Sequence, residues 1–235
     1  MSGAPAGPVL AVDSSTRAAY VAVGAEGRVL AEETVQASAN ASSALLPAVD
    51  RAVRGAGLVP GDLRAVVVGG GPGSFTGLRI AAATAKGVAR ALGVPLYAYS
   101  GLLAAAALHR VQPRPVCALF DARNREVYAG CWRFREDGVD EVMPVRALRL
   151  DALAEALGPG PVLLAGEGAD LHRDELAAAF GAGAVAGGGG SLAAGLLWLA
   201  RVAPERGRVD DPAAWEPEYV RAAGAERIAA AGSGG

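Results

Sequence analysis

The chain has 235 residues, enough for one large domain or two small ones with a core that needs no staple. Its 22 Lys+Arg against 24 Asp+Glu leave a formal charge of −2, with Lys86 the only lysine and no basic run. That balance argues against a protein that grips nucleic acid alone, which needs many phosphate contacts. The two cysteines, Cys117 and Cys131, argue against a disulfide framework.

Residues 1–8 and 231–235 are Gly/Ala/Pro/Ser tails and are expected to be disordered. Between them strands and helices alternate. Val9–Asp13, Tyr20–Gly24 and Arg28–Val35 read as a three-stranded meander. A helix follows, starting between Asn40 and Pro47 and running to about Gly55, with Leu45, Leu46, Val49, Ala52 and Val53 at helical spacing. Strand Ala65–Val68 leads through a Gly-rich turn into a long helix, Phe75–Leu92, which Gly93 closes and Pro95 prevents from continuing. Strand Pro95–Tyr99 and helix Leu102–Arg110 complete this block.

The pattern then restarts. Val116–Asp121 and Glu126–Arg135 read as a hairpin, Val145–Leu150 as a third strand, and Asp151–Leu157 as a helix. Strand Val162–Ala165 and helices Asp174–Phe180 and Ser191–Val202 follow. Two such blocks imply two similar α/β domains, residues 9–112 and 113–230. The hairpin turn is expected to be the two-residue pair Asn124-Arg125, because Asn tolerates the left-handed region. That register would set Cys117 against Trp132 and put the two cysteines, both reduced, on opposite faces. The longest apolar runs, such as Ser191–Ala200, are too short to span a bilayer. Nothing before Arg17 fits a secretory leader, so the expected compartment is the cytoplasm.

Three local features bear on function. Val66–Arg79 runs from strand through Gly69-Gly-Gly-Pro-Gly73 into a helix start, with Ser74 or Thr76 available as N-cap. Free amides and the helix dipole make such a turn an anion site in principle. It lacks the Gly-Lys-Ser/Thr of a P-loop, and Thr76 stands where a dinucleotide fingerprint ends in glycine. A tight turn needing glycine is slightly the better local reading. Asp13-Ser-Ser-Thr16 and Asp121-Ala-Arg are two hairpin turns led by Asp, one opening each half. His109 and His172 pair with no ligand at metal spacing, so no metal site and no catalytic residue is expected. Ser191 reads as a helix N-cap rather than a nucleophile.

Taken together, Leu10–Thr16, Gly71–Ile80, Asp121-Ala-Arg with Glu126-Val-Tyr128, and Pro217-x-Tyr-Val-Arg221 resemble the TsaB family. Its members are dimerisation subunits of the bacterial complex that makes threonylcarbamoyladenosine in tRNA. The resemblance implies two similar actin-like ATPase (ASKHA) domains, each a mixed sheet with flanking helices. It implies a non-catalytic partner of a TsaD-type catalytic subunit and a TsaE-type small ATPase, a homodimer when alone, meeting tRNA only through the complex. No cofactor is expected to bind tightly. ATP or ADP is expected weakly or at a subunit interface, facing Asp13, Ser15, Thr16, Gly73, Ser74 and Asp121.

The subunit contact would fall on the first two helices. On the second of these Leu78, Ala81, Ala82, Ala85, Val88, Ala89 and Leu92 form one apolar face. Ala83, Gly87 and Ala91 recur every four residues beside the basic stripe Arg79, Lys86 and Arg90, and are the chosen outer surface. Two positions depart from the family: Ala41 stands where a histidine is frequent, and Arg125 where a turn glycine is common. Competing readings are a stand-alone ATPase or kinase of this fold, a metalloprotease and a self-standing tRNA binder.

Overall fold

A computed structural model describes residues 3–36, 41–136, 138–186 and 190–220. The tail expected at 231–235 and Arg221 lie outside these residues, as does most of the Gly187–Gly190 run.

The first lobe is a five-stranded sheet ordered β3-β2-β1-β4-β5. Its strands are β1 (Val9–Asp13), β2 (Ala18–Ala25), β3 (Arg28–Gln36), β4 (Ala65–Gly69) and β5 (Leu96–Tyr99). The meander is antiparallel, whereas β4 and β5 join in parallel through helical crossovers. Helices α1 (Ala41–Gly55) and α2 (Phe75–Leu92) cover one face. Period-two alternation divides β1: Leu10 and Val12 face these helices, Val9 and Ala11 the other side. Helix α2 has the expected bounds, with Ser74 as N-cap and Gly93 left-handed at φ 67°.

Helix α3 is Gly101–Ala107, starting one residue earlier than expected at the cap Ser100 and ending sooner. All seven residues are buried. The second lobe is a four-stranded sheet ordered β8-β7-β6-β9. It contains β6 (Val116–Asp121), β7 (Glu126–Arg135), β8 (Gly138–Arg149) and, after α4 (Leu153–Leu157), β9 (Leu163–Ala165). Two helices follow, α5 (Glu167–Leu171) and α6 (Arg173–Phe180). A single parallel bridge, Leu164 to Val185, stands where the first lobe has its fifth strand. The two lobes are therefore one actin-like design, the second abbreviated.

Helix α7 (Leu192–Val202) returns to the first lobe. Leu192, Ala193, Leu196 and Leu199 share one core with Val9, Ala11 and Ala22 of the first sheet and with Val116, Ala118 and Phe120 of the second. The molecule is thus layered: α1 and α2, first sheet, α3 with α7, second sheet, then α4 to α6. Small residues permit the central layer, since a Cβ on Gly195 would overlap the Ala104 carbonyl of α3. After α8 (Pro204–Gly207) the chain runs as a strap along the first lobe: Arg208 bridges Tyr97, Val209 donates to Leu96, and Glu218 donates to Gly70. Within the stretch 1–8 expected as tail, Pro5, Gly7 and Pro8 lie against the same lobe, with Pro8 accepting from the Arg64 amide. No described helix is long and apolar enough to cross a membrane.

Three expectations are corrected. Cys117 lies directly opposite Cys131, not Trp132. The loop is centred on Asn124 because Arg123, Asn124 and Arg125 are all left-handed, and the Asp121 carboxylate takes the Arg123 amide at 2.8 Å, lengthening the turn. Arg125 thus holds φ 60°, in the left-handed region that favours glycine. The third strand of this sheet begins at Gly138, not Val145. Ser191 precedes α7 as its cap residue, but its hydroxyl makes no capping bond and is buried without a partner.

Candidate functional site

The Asp-led turns meet across one cleft. At the end of β1, Asp13 is fully buried, and its Oδ1 accepts from the amide and hydroxyl of Ser15 at 2.9 and 2.8 Å. These bonds fold residues 13–15 into an Asx turn. The turn is clamped to the start of α2: Ser14 Oγ donates to the Gly77 carbonyl at 2.7 Å, and the Ser74 amide donates to the Ser15 carbonyl at 2.7 Å. Close approach explains the glycines. A Cβ on Gly69 would overlap the Asp13 carboxylate, one on Gly73 the Ser15 carbonyl, and one on Gly77 the Ser14 carbonyl.

Across the cleft, Asp121 ends β6, and its Oδ2 lies 3.8 Å from the Arg17 guanidinium. Arg17 also donates its amide to Glu167 Oε2 at 3.3 Å, so one residue of the first turn touches two elements of the second lobe. The cleft has a volume of about 580 Å³ and brings together Ser15, Thr16, Gly73, Ser74 and Asp121 of the expected set. Asp13 lies behind this lining, not in it. Sequence reading missed Glu167 and Tyr128, which also line it. Glu167 follows a three-residue strand and starts a five-residue helix, too short for a periodicity signal; only its place after the second lobe's parallel strand marks it.

Burial pushes the Asp13 carboxyl above its usual range, against the two Ser15 bonds that favour the anion. Its Oδ2 is buried without a partner. Burial likewise raises Glu167, opposed by the Arg17 amide and charge and reinforced by Asp121 and Asp13. The cleft lining holds no histidine, cysteine or lysine, which leaves acid–base work there to two carboxyls and Tyr128. Two amides that a phosphate at the start of α2 would use, those of Ser74 and Gly77, are spent on Ser15 and on the Ser74 hydroxyl. Geometry therefore favours the tight-turn reading of the glycines. Among the described residues no group of three His, Cys, Asp or Glu is placed to hold a metal ion.

The other candidate surface is the outer side of α2. Leu78, Ala81, Ala82, Ala85 and Ala89 are buried, while Ile80, Val88 and Leu92 pack partly against the same core. Ala83, Gly87, Ala91, Arg79 and Arg90 are exposed, and a Cβ on Gly87 would meet nothing within 4 Å. Arg79 lies 3.9 Å over the half-exposed ring of Phe75, which also contacts Tyr219 of the strap. Lys86 departs from the basic stripe: its Nζ donates to the Trp215 carbonyl at 2.6 Å and pairs with Glu216 at 3.4 Å, holding the strap.

Two actin-like lobes around a cleft bounded by paired Asp-led turns define the ASKHA class. Comparison with known proteins narrows this. The family described as "TsaD: tRNA N6-adenosine threonylcarbamoyltransferase" matches residues 32–180. The chain is 34% identical over 167 residues to the tRNA threonylcarbamoyladenosine biosynthesis protein TsaB of Bacillus subtilis, covering 70% of this chain and 73% of that one. It is 37% identical over 123 residues to TsaB of Haemophilus influenzae, about half of each chain. A crystal structure from Pseudomonas aeruginosa, described as an uncharacterized protein similar to peptidase YeaZ, superposes with a TM-score of 0.78 at 31% identity, covering 92% of this chain and all of that one. The chain belongs to the TsaB family of tRNA threonylcarbamoyladenosine biosynthesis proteins.

Proposed function

We propose that this chain is the non-catalytic partner subunit in threonylcarbamoyladenosine synthesis. It acts in the cytoplasm, pairs with a TsaD-type catalytic subunit and a TsaE-type ATPase, and forms homodimers when alone. The observation that carries the reading is the contrast between cleft and helix. The cleft lining offers no histidine, cysteine or lysine, and two of the amides at its helix start, those of Ser74 and Gly77, are already engaged. The outer side of α2 presents Ala83, Gly87 and Ala91 in the open, small residues that let a second helix approach closely. The chain meets tRNA only through the assembly.

Reconstitution tests this. Full-length chain with TsaD- and TsaE-type partners is expected to form threonylcarbamoyladenosine on tRNA, while the chain alone forms none. Gly87→Trp is expected to abolish both dimerisation and partner capture, with the circular dichroism spectrum unchanged because the position is open. Normal assembly by that variant would move the interface elsewhere. The competing reading, a stand-alone ATPase or kinase, draws on the two Asp-led turns facing one cleft. ATP turnover by the purified chain alone would replace the proposal with it.

A further inference from the structure

The end of the first lobe remote from the cleft carries a second feature. Val9 lines a small groove there, whereas Asp13 begins the cleft turn. Four residue steps along the strand separate them, roughly 13 Å at about 3.3 Å each. The groove lies between the tip of the β2–β3 hairpin and the ends of α3 and α7, and Arg28, Arg110 and Arg201 line it.

Local structure positions each arginine. Ala25 pairs with Arg28 across a two-residue turn in which Glu26 and Gly27 are both left-handed, at φ 53° and 78°. That is the tight hairpin geometry whose twist matches the strands, so Arg28 leaves it in a fixed direction. Arg201 lies over the tip: a Cβ on Gly27 would stand 3.0 Å from its Nε. One turn earlier in α7, Leu197 packs on Gly24 and fixes the helix against the hairpin. Arg110 rests 5.2 Å over the Trp198 ring and donates to the Ala107 carbonyl at 3.1 Å.

Some arginines pair with carboxylates, Arg51 with Glu33, Arg125 with Glu175 and Arg149 with Asp151, while others such as Arg79, Arg90 and Arg133 have no ion pair among the described residues; what sets the groove apart is three arginines on one lining. Among the described residues Arg28 and Arg201 have no ion pair, and Glu26 is the one carboxylate lining the groove. The ordinary account of such arginines is a helix C-terminus, whose partial negative charge attracts them. It serves Arg110 and Arg201 but not Arg28, which comes from a hairpin. We propose that this groove binds a phosphodiester of an RNA backbone, which rests on the tRNA role argued above.

Size and chemistry select that ligand. The groove volume is about 160 Å³, below the 300 Å³ or more of ordinary small-molecule pockets, so it holds a phosphate-sized group and not a nucleotide. Guanidinium forks match phosphate oxygens in pairs. Trp198 is engaged by Arg110, 5.2 Å over its ring, and by Phe134 in an edge-type contact at 5.6 Å. The contact therefore adds affinity without reading sequence. With a chain charge of −2, it works as an addition to an assembly and does not suffice alone.

The test uses the full chain reconstituted with its partners and a fluorescein-labelled tRNA transcript. Arg28→Gln combined with Arg201→Gln is expected to weaken binding about 3- to 10-fold at low salt and to flatten the log–log salt dependence by about one to two. The KM for tRNA should rise with kcat unchanged. Arg149→Gln, remote from the groove, should change neither. Unchanged affinity and salt slope in the double variant would overturn the proposal, and so would a groove that responds to inorganic phosphate while RNA binding stays normal. If the wild-type assembly binds tRNA in a groove-dependent way but forms no modified base, the functional reading fails and the groove stands.

Discussion

Two glycines on one helix should respond oppositely to the same substitution. Alanine normally stabilises a helix interior by about 1 kcal/mol over glycine. At Gly87 the added methyl meets nothing within 4 Å, so Gly87→Ala should gain about that amount. At Gly77 the Cβ would overlap the Ser14 carbonyl, which is backbone and has no rotamer to change. Overpacking of this kind costs about 1–3 kcal/mol, and displacing the turn also strains the 2.7 Å bond from Ser14 Oγ to the Gly77 carbonyl, about 1 kcal/mol more. Net of the propensity gain, Gly77→Ala should lose about 1–3 kcal/mol. For a chain of this size each kcal/mol moves the Tm by about 2–4 °C. Thermal and urea unfolding followed by circular dichroism should therefore shift upward for Gly87→Ala and downward for Gly77→Ala. A Gly77→Ala protein as stable as Gly87→Ala would refute the clamp between the Asp13 turn and α2.

Other tests follow from buried groups. The Asp13 carboxyl, raised by burial, holds its proton in the folded state at pH values where the unfolded chain, near 3.8, has released it. Its contribution to stability is full below that pH and is lost as pH rises through the folded value. The stability of Asp13→Asn relative to wild type should therefore improve from pH 4 toward pH 7, read from urea midpoints; a flat or opposite difference would contradict this. Cys117 and Cys131 occupy a non-hydrogen-bonded pair, counted two residues at a time from the Ala122–Glu126 bond, where side chains come closest. Diamide should close them into an intrachain disulfide with a mass loss of about 2 Da, within reach of disulfide geometry. Persistent free thiols would contradict the register. Lys86→Ala should speed proteolysis between Arg208 and Tyr219, since Lys86 holds the Trp215 carbonyl; unchanged cleavage would show that Trp215 packing and the backbone bonds to Leu96 and Gly70 hold the strap without Lys86.

Much of this architecture is legible in the residues. Helix α2 was marked at both ends by chemistry the structure uses, Ser74 as cap and Gly93 as left-handed stop. The strand β6 and the start of β7 were marked by Asp121 and Glu126. Other features depend on partners distant in sequence. The first half of β8 carries Asp140, Glu141 and exposed Val142, so its pattern is that of a solvated edge and only pairing with β7 makes it strand. The hairpin register turned on a side chain, Asp121 capturing the Arg123 amide, and not on the turn propensity of Asn124. The cleft was partly legible: both Asp-led turns belong to it, but Glu167 arrives from a short element with no pattern of its own. The role of Lys86 was hidden because its partners, Trp215 and Glu216, come from the strap.

Helix α7 has a consequence for how the protein is made. Val9, at the start of the chain, and Ala200, near its end, fill one core. Strands β1 to β5 leave the ribosome before α7, so the inner side of their sheet has only α3 beside it until Leu192–Ala200 emerge. Until then Val9, Ala11, Ala22 and Val67 lack their α7 neighbours. Contacts so far apart in sequence close slowly. A chain that stops before Leu192 therefore lacks the helix that closes the core between the two sheets.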